Sequence, residues 1–181
     1  MTIRMLRDAA IADVKLGMAK TFKTVDTAPR TISPQWIERT SARCPACLIG
    51  FTTIRQLKRT NAGTFVGPIE LCANIVATDK AGNLAQDALL DLMTDFATYI
   101  EMRKFGVEKA NGAYVTGIEN IFSLDQDKGG MAIGTVTWRQ QYEFGRDFLQ
   151  EEVDQMNRQY GGGTLRDLVI NGESADFSTV T

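Results

Sequence analysis

The most reactive pattern in the sequence is a pair of cysteines, Cys44 and Cys47, separated by two residues. This spacing occurs in thiol-disulfide active sites and in half of a zinc site. A redox pair needs its first thiol at the N-terminus of a helix, where the helix dipole stabilises the thiolate. Residues 48–54 are instead β-branched and apolar, which is typical of a buried strand. We therefore predict structural cysteines, and a small cytosolic thiol-disulfide oxidoreductase stays open as the alternative enzyme.

Histidine, on which much metal binding and acid-base catalysis depends, does not occur in this sequence. Zinc would need a fourth ligand besides Cys44, Cys47 and Cys72, and no imidazole can supply it. The commonest general base and the usual partner of a catalytic serine or cysteine are missing as well. We expect a protein that is not an enzyme and that has no cofactor and no metal.

Three aspartates, Asp87, Asp91 and Asp95, repeat every four residues in a segment with helical periodicity. That spacing places them on one helix face, where like charges repel by roughly a few tenths of a kcal/mol per pair. A solvated face is the simplest interpretation. The functional alternatives are an acidic surface that meets basic groups of a neighbouring subunit, or a divalent-metal site.

Charge also concentrates at two predicted hairpin turns. The first carries Arg55, Lys58 and Arg59, and the second carries Asp125, Asp127 and Lys128. Opposite charges on two projecting hairpins would let copies of the chain pair head to tail, and such heterologous contacts can close into rings. Ordinary solvated turns are the alternative. These six residues and the three aspartates form the candidate interface with other subunits or partners.

Length and charge narrow the class of protein. The chain has 181 residues, with 20 basic and 22 acidic side chains. That length fits one compact domain. The near balance of charge gives no global positive field for nucleic acid or an anionic membrane, and no apolar run approaches the roughly 18 residues of a membrane span. We expect neither sequence-specific nucleic acid nor a membrane as a partner, and an odd cysteine count favours free thiols in a reducing cytosol.

Hydrophobic periodicity predicts two long helices and four strand-like runs. The helices cover residues 2–20 and 83–103, and the strand-like runs lie at 46–57, 69–75, 114–124 and 131–144. Adjacent strands interrupted by helices predict an α+β fold, a mainly antiparallel sheet of two hairpins with both helices packed on one face.

The remaining segments are predicted to be less regular. A short helical turn is expected at 34–39, before the first hairpin. Residues 145–181 are expected to form a C-terminal arm, separate from the α+β domain at 1–144. Within the arm we predict a helix at 148–159, a flexible glycine joint at 161–163 and a weak strand at 165–177.

Five stretches resemble the tail terminator or tail-completion proteins of tailed bacteriophages, specifically the small Mu-like phage family. They are IRMLRDAAIADVK near the start, CPACLIGF, IELCANIVATD, LLDLMTDFATYI and the closing GTVTWRQQYEF. The resemblance covers about residues 3–144 and rests on hydrophobic patterns of helices and strands.

The resemblance implies a structural virion protein without catalytic residues. Such a protein forms a homo-oligomeric ring, expected to be a hexamer, assembled in the host cytoplasm and located in the tail-neck region of the virion. It caps the tail tube protein, ends its polymerisation and presents a surface to the head-tail connector, and the arm would reach a neighbour or the tail sheath. Another neck or head-completion protein would share this fold, so that role stays open as the nearer alternative.

Overall fold

The computed structural model describes residues 2–29, 43–79, 84–121 and 130–146, with short pieces at 151–152, 154–155, 169–170 and 173–174. Two helices, α1 (Ile3–Gly17) and α2 (Ala85–Ile100), accompany the strands β1 (Thr24–Thr27), β2 (Ala46–Ile54), β3 (Lys58–Arg59), β4 (Phe65–Thr78), β5 (Tyr114–Asn120) and β6 (Met131–Phe144). Two further strands, β7 (Val169–Ile170) and β8 (Glu173–Ser174), pair with each other. The predicted turn at 34–39 and the glycine joint at 161–163 lie outside the described residues.

The six-stranded sheet has the order β1-β2-β4-β6-β5, and β3 pairs with β4. All of its pairs are antiparallel except β1 and β2, which are parallel. The α+β class with two helices is therefore confirmed. The description as two hairpins fits only roughly. Strand β1 was not predicted and makes the sheet mixed, and the short strand β3 lies between β2 and β4 in the sequence. In the arm, β7 and β8 pair with each other in antiparallel fashion where one weak strand was expected.

Alternation along β4 decides which face of the sheet is buried. Ile69, Leu71, Ala73 and Ile75 are fully buried, whereas the residues between them are partly exposed. Both helices pack on this face and share one apolar cluster with it. The opposite face is largely polar, apart from a smaller cluster around Ala46, Leu48, Val76 and Ile133. One covered and one largely polar face is the usual arrangement for antiparallel strands.

The aromatic centre of the core lies under α2. Trp138 on β6 packs edge-on against Phe96 at 5.9 Å and Phe105 at 6.4 Å between ring centroids. Gln140, two residues along the strand, is also buried, yet its amide donates to the carbonyl oxygens of Arg103 (3.1 Å) and Asn111 (2.9 Å). The buried amide therefore fixes the connection between α2 and β5, because leaving it unpaired would be costly.

A polar contact joins the two helices. The Tyr99 hydroxyl on α2 donates to the Asp13 carboxylate on α1 at 2.8 Å, and the Arg103 guanidinium lies 3.8 Å above the Tyr99 ring centroid. Gly17 makes room for this phenol, because a Cβ atom there would lie 1.7 Å from the Tyr99 oxygen. The contact fixes the spacing of the helices over the sheet.

Helix α2 is shorter than predicted at both ends. It begins at Ala85 instead of residue 83, and the Ala85 N–H donates to the Asp79 carboxylate at 2.7 Å. It ends at Ile100 instead of residue 103, because Glu101 has an extended ψ of 130° and Met102 then takes a left-handed conformation with φ 63°. Glu101 follows the helix, and its carboxylate accepts a hydrogen bond from the Val115 N–H at 2.9 Å.

The core assignment predicts unequal effects for two consecutive residues of β6. Trp138→Ala should lower the free energy of unfolding by about 3–5 kcal/mol, because it removes a fully buried indole. Arg139→Ala, on the opposite face, breaks only the ion pair with Glu70 and should cost within about 1 kcal/mol. Urea denaturation of both variants measures the difference, and equal losses would contradict the assignment of faces.

Candidate interaction surfaces

The two cysteines of the Cys-x-x-Cys sequence lie in different environments. Cys47 is fully buried in the cluster under the helices, whereas Cys44 belongs to the smaller cluster on the opposite face. The segment continues as β2, not as a helix, so the predicted strand is confirmed and ends at Ile54. Neither thiol therefore has the helix N-terminus that stabilises a thiolate in redox active sites.

Burial keeps both sulfur atoms protonated. It raises the pKa of Cys44 to about 11, against a smaller lowering by Lys23. Burial raises the pKa of Cys47 even further. Cys72 is only partly buried and pairs with Gly50 across the outer face of the sheet. At neutral pH Cys44 and Cys47 are buried thiols that behave as small apolar side chains.

Three predicted interface cations come together at one end of the sheet. Arg55 follows β2, and Lys58 and Arg59 form β3, opposite Val66 and Phe65 of β4. The prediction that Lys58 and Arg59 lie in the turn is wrong, because both pair with β4; the turn itself is closed by a hydrogen bond from the Thr60 N–H to the Thr64 carbonyl. The three cations, called the basic tip below, are exposed and make no ion pair with any other described residue.

Exposed apolar side chains accompany the basic tip, which the sequence interpretation did not anticipate. Phe51, Leu57 and Phe65 are 46%, 47% and 41% exposed. Leu57 lies over Gly67, where a Cβ would come within 2.9 Å of it, and Phe65 stacks on Phe144 with ring centroids 6.0 Å apart. Hydrophobic periodicity in the sequence did not identify these three side chains, because charged residues stand between them and they follow neither a helical nor a strand period.

The three aspartates lie on the outward side of α2, as the spacing predicts. Asp87, Asp91 and Asp95 are exposed, while Leu89 and Phe96 point into the core. The helix contains no basic residue, and the three carboxylates make no ion pair within the part of the chain that the structure describes. Leu90, between them, is 50% exposed. These three aspartates and Leu90 are called the acidic face below.

The basic tip and the acidic face lie at different levels along β4 and do not meet in one molecule. Lys58 pairs with the beginning of β4, whereas α2 starts beside Asp79, just beyond the other end of that strand. The 14 residues of β4 span roughly 45 Å. Helix α2 runs back along the sheet, because Phe96 packs on Trp138, which pairs with Leu71. Asp95 therefore lies roughly 17 Å along β4 from Val66, the partner of Lys58, and Asp87 lies farther away. Even the shorter distance is about two Debye lengths at physiological salt.

Strand β5 is the last strand of the sheet within the described residues. It exposes Tyr114 (65%) and Ile118 (50%), and Ile121 just after it is also 50% exposed. The Glu101 carboxylate occupies the Val115 N–H, so one donor near the start of this strand is already used. An apolar edge strand of this kind favours contact with another chain.

The remaining predicted interface residues, Asp125, Asp127 and Lys128, lie outside the described residues. The strands that lead to them are described as far as Ile121, whose N–H donates to the Ile133 carbonyl at 3.0 Å. The role of this second turn therefore stays a prediction.

A groove on the outer face of the sheet is too small for an ordinary ligand. Its volume is about 160 Å³, and it is lined by Thr53, Arg55, Gln56, Pro68, Glu70 and Arg139. Small-molecule pockets usually enclose roughly 300–1,000 Å³. Its volume therefore does not indicate a small-molecule site.

Within the described ranges, no three acidic or cysteine side chains converge as metal ligands would. Neither α1 nor α2 has the length and apolar character needed to cross a membrane. No protein-family model matches the chain, and no curated protein matches it either.

The thiol environments predict the order in which the cysteines react. Iodoacetamide at pH 8 should label Cys72 before Cys44 and Cys47 in the folded protein, because the last two are buried and protonated. In urea all three should react at similar rates. Peptide mass spectrometry over time gives the order, and rapid labelling of Cys44 or Cys47 in the native state would contradict the structural interpretation.

Proposed function

We propose that this chain is a structural virion protein of a tailed bacteriophage, a tail terminator that forms a ring on the finished tail tube. The ring, expected to be a hexamer, ends polymerisation of the tube protein and mediates joining to the head connector. Support comes from the order of elements, because α1, β2 with β4, α2, and β5 with β6 follow one another over the segment that carries the resemblance.

The observation that carries the proposal is the presence of two charged surfaces of opposite sign on one subunit, one at the end of the sheet and one on helix α2. The basic tip and the acidic face both combine charge with exposed apolar side chains, and neither is neutralised by another described residue. Different surfaces on opposite sides of a subunit favour head-to-tail contacts, which close into a ring when the rotation per subunit is right. A catalytic site would instead need reactive groups gathered in one place.

A terminator also needs two unlike faces along the tail axis. Tube subunits polymerise because each added layer regenerates the same heterologous surface, so growth stops when a protein binds that surface without recreating it. The chain offers unlike faces, since helices cover one side of the sheet and polar side chains such as Asn74, Thr135 and Arg139 cover most of the other.

The function can be tested in a phage that encodes this chain. When the gene is inactivated, lysates should contain free heads together with tails that are abnormally long or irregular, seen by electron microscopy. Addition of the purified protein should cap tubes that lack a terminator and restore a uniform length. Trp138→Ala provides a control for loss of folding.

Two results would contradict the proposal in different ways. Tails of normal length that fail to attach to heads would indicate a head-completion or joining protein. Complete virions in the absence of the gene product would show that the protein has no required role in the tail neck.

A further inference from the structure

We propose that the basic tip of one copy binds the acidic face of the next copy, so that the partner of each surface is a second copy of this chain. This inference rests on the proposed ring and names the contact that closes it. It assigns the counterpart of Arg55, Lys58 and Arg59 to helix α2 instead of to the second hairpin turn.

The two surfaces match in charge and in composition. The basic tip carries three cations, and the acidic face carries three carboxylates on a helix that has no basic residue. Leu57 and Phe65 lie beside the cations and Leu90 lies among the carboxylates, all of them between 41% and 50% exposed. Apolar anchors bordered by complementary charge are typical of specific protein interfaces.

The two surfaces do not meet within one molecule. Helix α2 runs back along the sheet, so Asp95 lies near the level of Leu71, which is still five residues, roughly 17 Å, along β4 from Val66, the partner of Lys58. That distance is too long for an ion pair, so we assign the partner of each surface to another molecule. Each copy carries one of each surface, which produces a directional chain of contacts. Such a heterologous chain closes into a ring or continues as a filament, and a pair with twofold symmetry would leave no open end.

Both surfaces are held rigidly before they meet. The tip is anchored where Lys58 and Arg59 pair with Val66 and Phe65 of β4, and Phe65 stacks on Phe144, which in turn stacks on Tyr142. Helix α2 is fixed by its buried residues and by the hydrogen bond from Tyr99 to Asp13. Preorganised surfaces lose little conformational freedom on association, so modest contacts suffice for binding.

The contact can be tested with two charge-reversed variants that should associate weakly when alone and assemble when mixed. Variant A is Lys58→Glu with Arg59→Glu, which makes both of its surfaces acidic. Variant B is Asp91→Lys with Asp95→Lys, which makes both of its surfaces basic. Asp87 is kept, because a carboxylate in the first turn interacts favourably with the helix dipole and so stabilises the helix.

Sedimentation velocity of A, of B and of an equal mixture provides the readout. Each variant alone should associate at least about tenfold more weakly than the wild-type chain, because like charges then face each other. In the mixture each tip meets a helix of opposite charge, so the assembly should return with A and B in equal amounts. High salt should weaken both the wild-type and the mixed assembly.

Two controls make the result specific. Lys15→Glu with Lys20→Glu changes the net charge as much as variant A does, but at exposed positions on and just after α1, and should leave association unchanged. Asp125→Lys with Asp127→Lys tests the second turn, and it should neither abolish association nor restore it when combined with the changes of variant A. Circular dichroism of every variant verifies that it is folded.

The inference is overturned if folded A and B each assemble like the wild-type chain, or if their mixture does not assemble. It is also overturned if Asp125→Lys with Asp127→Lys, in place of variant B, restores the association of A. Tube capping separates this contact from the proposed function. If the mixture assembles but does not cap tubes, the contact between copies is supported and the proposed function is contradicted. If variant A caps tubes without assembling, the function is supported and the contact is contradicted.

Discussion

The long antiparallel pair of β4 and β6 is the constraint on which the rest of the structure depends. Its register runs without a break from Phe65 opposite Phe144 to Thr78 opposite Met131. The pair joins the two hairpins into one sheet and aligns Trp138 and Tyr142 under the helices. It also fixes the distance between the basic tip, at one end of β4, and the start of α2, beyond the other end.

Buried polar groups make this arrangement specific. Gln140 holds the connection after α2 through two backbone carbonyls, and the Tyr142 hydroxyl donates to the Thr2 carbonyl, which positions the start of α1. An apolar residue at either position would still fill the core, but it would leave those carbonyls without these donors. The acidic face and the basic tip therefore keep a fixed position relative to each other. The proposed ring requires this, because each subunit must be rotated by the same angle from the one before it.

The sequence predicted those elements whose apolar residues follow a clear period. Leu6, Ala10 and Val14 on α1, and the alternation along β4, are buried as expected. Strand β1 was missed because its four residues, TVDT, are too short and too polar for a period, and it is held by parallel pairing with β2. The end of α2 was placed too late because the left-handed Met102 depends on tertiary contacts, including a hydrogen bond from its N–H to the Ala113 carbonyl.

The candidate surfaces were predicted in part, for a similar reason. Residue type and spacing indicated the charges of Arg55, Lys58, Arg59 and the three aspartates, and all six are exposed. The apolar side chains beside them could not be recognised, because exposure of Phe51, Leu57 and Phe65 depends on where the helices stop covering the sheet. The separation of the two surfaces likewise follows only from the strand register.

We propose that one subunit with two unlike surfaces assembles into a closed ring. Native mass spectrometry of the purified full-length chain, at near-physiological ionic strength, tests it most directly. We expect one dominant assembly with a single subunit number, six, that dissociates as salt is raised. A chain that stays monomeric over the micromolar range, or that forms only a twofold dimer, would contradict it.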